Sequence, residues 1–456
     1  MRDKDAVALV SIGEELTYGA LEELAAGYAS QMHRRALVFM KVANNIPSVA
    51  FYIGCLNHDI VPLMLNVDIA KTSWELLYEV YKPEYIWVPV EDELCVNPVF
   101  ADRGYGLVRV ADGSPTLGED LGLLLSTSGS TGSPKLVRQS RANVLANAES
   151  IVEYLDIKPG DRAITTLPFG YTYDISIVNS HLLAGATVIL NEYPLMDRRF
   201  WDLFKERGAT TFGGVPYTYQ MLDKLGFDRM NLPSLRYITQ AGGRLGETLH
   251  RKFGEICVAK GIDFIPMYGQ TEATARMSYL PKEKTLEKIG SIGVAIPGGR
   301  FSLLAADDSV IEEAGVDGEL IYEGANVTLG YAVCVEDLAK GDERGGVLHT
   351  GDVARRDEDG FYYITGRLNR FLKVYGNRVG LDELESILSR SGVVAAATGD
   401  DDHVVVFVET GEIEGAKTIL TKATGLNHVA FDVRLIDSIP RSTAGKIQYS
   451  ELKKLI

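Results

Sequence analysis

Cysteine is scarce in this chain: four residues in 456, at Cys55, Cys95, Cys257 and Cys334, all far apart. No CxxC pair and no Cys/His cluster with ligand spacing occurs, which argues against a structural zinc site or a disulfide framework. Scattered cysteines fit a reducing compartment. Long apolar runs are also missing. The N-terminal "MRDKDAVALV" lacks the apolar stretch of a signal peptide. The most apolar region, Ser48–Leu65, is interrupted by Asn57, His58 and Asp59, so it reads as buried helix and strand rather than a membrane span. Positive charge is in deficit, with a formal net charge of −16. That balance argues against broad binding to nucleic acid or an anionic membrane, yet leaves room for an anionic ligand held by local donors. The expectation is a cytoplasmic protein with no nucleic-acid partner and no integral membrane segment.

What is present is the ordinary balance of a globular protein, 46% apolar and 24% charged. The length exceeds one compact core, so two or more domains are expected. Strand-like runs such as "RALVFMKV", "YIWVPV", "ATTFGGV" and "DFIPMYG" alternate with helical patterns such as "TYGALEELAAGYASQM" and "SRANVLANAESIVEYL". This alternation predicts an α/β architecture with largely parallel, helix-covered sheets. Beyond about residue 290, short strands separated by Gly/Asp turns predict an antiparallel, β-rich subdomain, with "DEDG" as a hairpin turn. Residues 367–456 read as a separate small α+β unit. Its acidic and basic residues balance, so the whole negative excess lies in residues 1–366.

The stretch "STSGSTGSPK" (126–135) carries the first chemical signal. Gly129 and Gly132 permit backbone angles that let successive N–H groups converge on an anion. Thr127, Ser128, Ser130 and Thr131 add hydroxyls, and Lys135 adds a point charge. It is not a Walker A loop, because Gly132 is followed by Ser-Pro-Lys rather than Lys-Ser/Thr. On local chemistry alone, a polyphosphate cradle competes with an ordinary flexible turn.

The whole string closely resembles the phosphate-binding signature of the adenylate-forming (AMP-binding) enzymes: acyl-CoA synthetases, aryl-acid ligases, peptide-synthetase adenylation domains and luciferase. "MYGQTEA" (267–273), "GELIYEGANVTLGY" (318–331), "HTGDVARRDEDGFYYITGR" (349–367) and "PRSTAGKI" (440–447) match further motifs of that family, in order and in register. The resemblance covers essentially the full chain, which is somewhat short for the family. It implies a large N-terminal domain (1–366) and a small mobile C-terminal lid (367–456) hinged near Asn369, where the family more often has Asp or Lys. It also implies a two-step reaction. A carboxylate first attacks the α-phosphate of ATP, giving an acyl adenylate and pyrophosphate, and a thiol then displaces AMP.

The resemblance distributes roles as follows. Thr127, Ser128, Gly129, Ser130, Thr131, Gly132 and Lys135 embrace the β- and γ-phosphates. Thr271 binds the α-phosphate and Glu272 holds Mg²⁺. Tyr268 covers the adenine, with Gly242, Gly243, Gly269 and Gln270 nearby. Asp352 accepts the ribose hydroxyls, and Arg367 adds a donor to the ribose or α-phosphate. Lys446, whose bland reading is a solvated tail lysine, reaches across the domain interface to the carboxylate and α-phosphate, with Gly445 keeping the loop slim. "KVYGNRVG" (373–380) lines the thiol's approach, and Arg370, Lys373 and Arg378 would serve its docking.

The acid and the thiol are less legible. Tyr171, Tyr173, Asp174 and Tyr217 are the candidate substrate contacts, in an aromatic-rich pocket. "YDIS" (173–176) is similar to a motif of amino-acid-activating members, whose aspartate pairs with an α-ammonium group. Asp174 therefore leaves open an amino-acid adenylating enzyme that loads a separate carrier protein. The implied cofactors are ATP, Mg²⁺ and either coenzyme A or carrier-protein phosphopantetheine. The implied partners are a small carboxylic acid and a separate acyl or peptidyl carrier protein. A nucleotide-binding sensor that kept the fold and lost the chemistry is the alternative of a different class.

Overall fold

The computed structural model describes residues 3–126, 135–368, 370–374, 377–409, 412–424, 426–442 and 445–456. Among them, two large sheets dominate. One runs, in spatial order, Val294–Ala295, Ser278–Tyr279, Asp263–Tyr268, Tyr237–Gln240, Thr211–Gly214, Arg162–Ile164, Thr187–Ile189, Val7–Ser11 and Glu14–Thr17. Its middle strands are parallel, and antiparallel strands close both edges. The other is parallel through Leu121–Ser126, Val61–Asn66, Leu37–Val42 and Tyr85–Pro89, with antiparallel strands outside. Strands buried on both faces read as continuous apolar runs, as "LVFMKV" and "VPLMLN" do.

Helices fill the space between the sheets. Asn45 caps Ile46–Asn57 by accepting from the Ser48 amide at 3.1 Å, and Pro47 sits in the first turn, where its missing N–H is harmless. Nearly all of this helix is buried. Gly54 lets it touch the Tyr18–Ala29 helix, since a Cβ there would lie 2.4 Å from the Ala25 carbonyl oxygen. Ser140 and Asn143 form a reciprocal capping box that starts Arg141–Leu155. The helix Thr172–Leu183 is buried on nearly every side, polar Asp174, Ser176, Ser180 and His181 included, and packs into the core shared by both sheets.

The β-rich region is an antiparallel sheet of Arg300–Leu304, Gly318–Glu323, Val347–Arg356 and Tyr362–Arg367, and the turn at "DEDG" joins the last two. Beyond it lie a hairpin, Phe371–Val374 with Asn377–Gly380, and a three-stranded sheet, Ala395–Asp400, His403–Val408 and Phe431–Leu435. The helices Leu381–Arg390 and Ile413–Thr424 cover that sheet and bury their own apolar cluster around Leu384, Val406 and Leu420. The α/β class and the β-rich subdomain agree with the sequence reading. Among the described residues, no helix is long and apolar enough to cross a membrane.

Candidate active site

The site gathers where parallel strands end. Strand Asp263–Tyr268 runs into Gly269, where a Cβ would lie 1.8 Å from the Ala275 carbonyl oxygen, so only glycine fits the return of the chain. The turn Thr271–Ala273 follows, and Thr274 takes a positive φ of 65°, held by its hydroxyl donating to the Asn326 carbonyl at 2.7 Å. Such strain persists where surrounding bonds over-determine the backbone. The turn presents Thr271 and Glu272. Tyr331 donates its hydroxyl to Glu272 Oε1 at 2.7 Å. The Glu272 carbonyl accepts from the Thr328 hydroxyl at 2.9 Å and from Arg344 Nη1 at 2.8 Å. Lys135 Nζ stands 3.6 Å from the centre of the Tyr331 ring, and the Arg344 guanidinium 4.7 Å from it. Glu272 is thus a positioned carboxylate, bonded to a tyrosine against whose ring two cations rest.

Asp352 sits in strand Val347–Arg356 with its side chain 2% exposed. Arg367 Nε donates to its Oδ1 at 2.7 Å, and Gln270 Nε2 donates to its Oδ2 at 2.8 Å. The Tyr268 hydroxyl also donates to Oδ2, and burial together with that carboxylate pushes the phenol well above its ordinary pKa. Tyr268, Gln270, Asp352 and Arg367, far apart in sequence, thus form one hydrogen-bonded group.

Lys446 arrives from the C-terminal unit on a tight loop. Ser442 N–H donates to the Lys446 carbonyl at 2.8 Å, and Gly445 N–H donates to the Ser442 carbonyl at 2.8 Å. Gly445 has φ +74°, and a Cβ there would come within 2.9 Å of Val215 Cγ2. Lys446 Nζ lies 5.3 Å from the centre of the Tyr171 ring. Burial holds the ammonium pKa below its ordinary value. Arg367 pushes the same way and Glu272 opposes it. The lysine therefore belongs to the same electrostatic neighbourhood as Glu272 and Arg367.

The remaining sequence-predicted residues are distributed as follows. The Tyr171 hydroxyl abuts Gly242, where a Cβ would lie 2.7 Å from it, and Gly243 faces Pro216. Tyr173 is buried, with its hydroxyl 2.8 Å from Thr239 Oγ1. Tyr217 is 44% exposed and stands beside the Gly445 loop. Asp174, in the first turn of Thr172–Leu183, is fully buried, and among the described residues neither carboxylate oxygen meets a donor in full hydrogen-bond geometry, though the Leu167 backbone lies close by. Burial raises its pKa well above the usual carboxylate range, against the opposing pull of the Leu167 backbone and the Arg276 charge. It lines neither of the internal cavities beside this helix. Thr127, Ser128, Gly129, Ser130, Thr131, Gly132 and Asn369 lie outside the described residues, as do the side chains of Lys373 and Arg378. Arg370 binds Asp382 and donates to Glu385 at 2.9 Å within its own unit. Sequence reasoning missed Tyr331, Arg344 and Arg276. Tyr331 closes the quoted "TLGY" string, but nothing local says that it grips Glu272 from 59 residues away.

One carboxylate with phosphate oxygens and water suits Mg²⁺, which rarely uses an all-protein cage. Among the described residues no group of three or more acidic, His or Cys side chains could hold a metal alone. Glu272 fits a shared site of that kind.

Lys135 at the Tyr331 ring, the Glu272 carboxylate held by Tyr331, and Lys446 from the C-terminal residues in the field of Glu272 thus come together at one site. Residues 1–332 match the family model described as "AMP-binding enzyme", and the chain belongs to that family. Its class is that of acyl-CoA-synthetase-like ligases. It is 26% identical to a 3-hydroxybenzoate–CoA ligase of Aromatoleum sp. (strain CIB), over 99% of this chain and 94% of that protein. It is 27% identical to a 2-succinylbenzoate–CoA ligase of Geobacillus sp. (strain WCH70), over 92% of this chain and 87% of the relative. The fold matches the o-succinylbenzoate CoA synthetase of Bacillus subtilis in complex with its acyl-adenylate intermediate. The TM-score is 0.80 at 21% identity, covering 98% of this chain and 95% of that one. The same Bacillus subtilis enzyme is also known with ATP and a magnesium ion.

Proposed function

We propose that this protein activates a carboxylic acid with ATP and transfers the acyl group to coenzyme A. In the first step a carboxylate oxygen attacks the α-phosphorus and the bond to pyrophosphate breaks. In the second, the thiol sulfur attacks the acyl carbon, AMP leaves, and the thiol proton is lost. The observation that carries the reading is Lys446. It is brought by a glycine-slimmed loop from the C-terminal unit to Tyr171 and into the field of Glu272 and Arg367. A cation placed between two approaching anions favours the transition state by electrostatic stabilisation and alignment. Lys135 serves the distal phosphates, Thr271 the α-phosphate, and Glu272 would hold Mg²⁺, which when bound neutralises phosphate charge. Asp352, with its acceptor oxygens fixed by Arg367 and Gln270, serves the ribose. Residues 1–366 form the nucleotide domain and 367–456 the lid, which rotates near Asn369 between the two steps.

Free coenzyme A is preferred over carrier-bound phosphopantetheine, because the CoA ligases above match nearly end to end. Pyrophosphate exchange over a panel of carboxylic acids, followed by thioester formation with coenzyme A or a loaded carrier protein, tests the proposal. Exchange with non-amino acids and acyl-CoA product is expected. Exchange confined to amino acids would transfer the assignment to Asp174 and a carrier protein. ATP binding without exchange for any acid would leave a sensor.

A further inference from the structure

Tyr331 and Arg344 take no part in the two chemical steps, yet both hold Glu272. The Tyr331 hydroxyl donates to Glu272 Oε1 at 2.7 Å and so fixes the side chain. The Glu272 carbonyl accepts from Arg344 Nη1 at 2.8 Å, from the Thr328 hydroxyl at 2.9 Å and from the Thr328 N–H at 3.1 Å. Arg344 Nη1 also donates to the Thr328 hydroxyl at 2.8 Å, and the guanidinium rests 4.7 Å from the centre of the Tyr331 ring. The residue that holds the main chain of Glu272 therefore also braces the residue that holds its carboxylate.

Both grips are placed by the strand Leu136–Ser140, which directly follows Lys135. Arg138 on that strand is fully buried. It donates to the Leu329 and Tyr331 carbonyls on one side, and to the Lys340 and Gly341 carbonyls and the Glu343 carboxylate on the other. One guanidinium thus joins the segment carrying Tyr331 to the loop carrying Arg344. The next residue, Gln139, is buried too, and its Nε2 donates to the Thr271 carbonyl at 3.3 Å. Lys135 Nζ stands 3.6 Å from the centre of the Tyr331 ring. Lys135 and the turn bearing Glu272 therefore share one rigid frame. Thr274 on Asn326 already holds the far end of that turn, so the hydrogen bond to the Glu272 carboxylate aims a side chain rather than closing a turn. A glutamate held this way has lost its rotamer freedom before any cation arrives, and fixing one carboxylate oxygen sets the direction of the other.

We propose that Tyr331, braced by Arg344, is a positioning residue for the divalent cation: its hydroxyl orients the Glu272 carboxylate so that the cation entering with the nucleotide meets a preset oxygen. This rests on the reading of Glu272 as the Mg²⁺ ligand. Loss of one such outer partner typically costs a metal site about 10- to 100-fold in affinity or activity.

The test is calorimetry with α,β-methylene-ATP, whose α–β bridge resists cleavage, first in EDTA and then in saturating Mg²⁺. The ratio of the two affinities is the gain due to the metal. In the wild type Mg²⁺ should tighten binding, and Glu272→Gln should abolish the gain. Tyr331→Phe keeps the ring on which Lys135 and Arg344 rest and loses only the hydroxyl. It should cut the gain by about tenfold or more while leaving the affinity in EDTA unchanged, and the Mg²⁺ concentration for half-maximal pyrophosphate exchange should rise by a similar factor. Arg344→Met should act in the same direction, with a smaller effect once Tyr331 is already Phe, because the two residues work through one carboxylate. Should Tyr331→Phe fail to fold, Arg344→Met carries the same comparison. A gain left intact in Tyr331→Phe but lost in Glu272→Gln would overturn the positioning role and leave Glu272 as the ligand. Equal weakening in EDTA and in Mg²⁺ would overturn it as well, making Tyr331 a packing residue. A gain that survives Glu272→Gln, or no gain in the wild type, would remove Glu272 from the metal, and this inference with it.

Discussion

Lys446 and Asp174 are both ionisable groups forced into burial, and the protonation each adopts can be measured. The Lys446 ammonium titrates below its ordinary value because it is desolvated and faces Arg367. Only the protonated form can draw a carboxylate and a phosphate together. The kcat/KM of pyrophosphate exchange should therefore fall on an alkaline limb below the usual lysine range, and that limb should vanish in Lys446→Arg, which does not titrate there. Lys446→Ala should reduce exchange by roughly 100- to 1,000-fold, the size of losing one preorganised donor. It should spare thioester formation from preformed adenylate. Asp174 has a raised folded pKa, so its contribution to stability is present at low pH and is lost as pH rises through that value. Asp174→Asn should therefore be more stable than wild type at pH 7, and the gap should close on acidification, as followed by urea denaturation at several pH values. If the carboxylate instead serves an ammonium substrate, the same variant loses exchange.

At the scale of elements, glycines decide how closely backbones approach the site. Gly445 takes a left-handed φ of 74° and clears Val215 only because it has no Cβ. Gly445→Ala should displace the lysine loop. The adenylation step should fall by about tenfold or more while thioester formation from preformed adenylate stays near wild type, since a shift of about 1 Å in a positioned group is enough. The motif strings were readable for the same reason. "MYGQTEA" must end a strand, turn through Gly269 against the Ala275 carbonyl and present Glu272, and few sequences satisfy all three. Tyr331 was illegible as a partner of Glu272, because a tyrosine after "TLG" looks like any strand residue until the strand is placed.

At the scale of the molecule, the C-terminal unit docks with Ser389 Oγ 3.2 Å from where a Cβ on Gly246 would stand. Gly246→Cys with Ser389→Cys falls within the spacing of a disulfide. Oxidation should lock this arrangement, preserving pyrophosphate exchange while blocking acyl-CoA formation, and reductant should restore the second step. Full thioester formation in the oxidised protein would show that the lid need not move.

The sequence by itself determined the α/β class, the antiparallel region past residue 290 and the motif residues, because strand and helix periods, turn chemistry and close-approach glycines are local requirements. Only the tertiary structure decided which distant groups share a field. Lys446 beside Tyr171, Tyr331 on Glu272, and Arg276 buried against Tyr173 and acting on Asp174 depend on how two sheets, their helices and a C-terminal unit pack. Charge–charge energies depend on distance and burial, and neither is encoded in neighbouring letters.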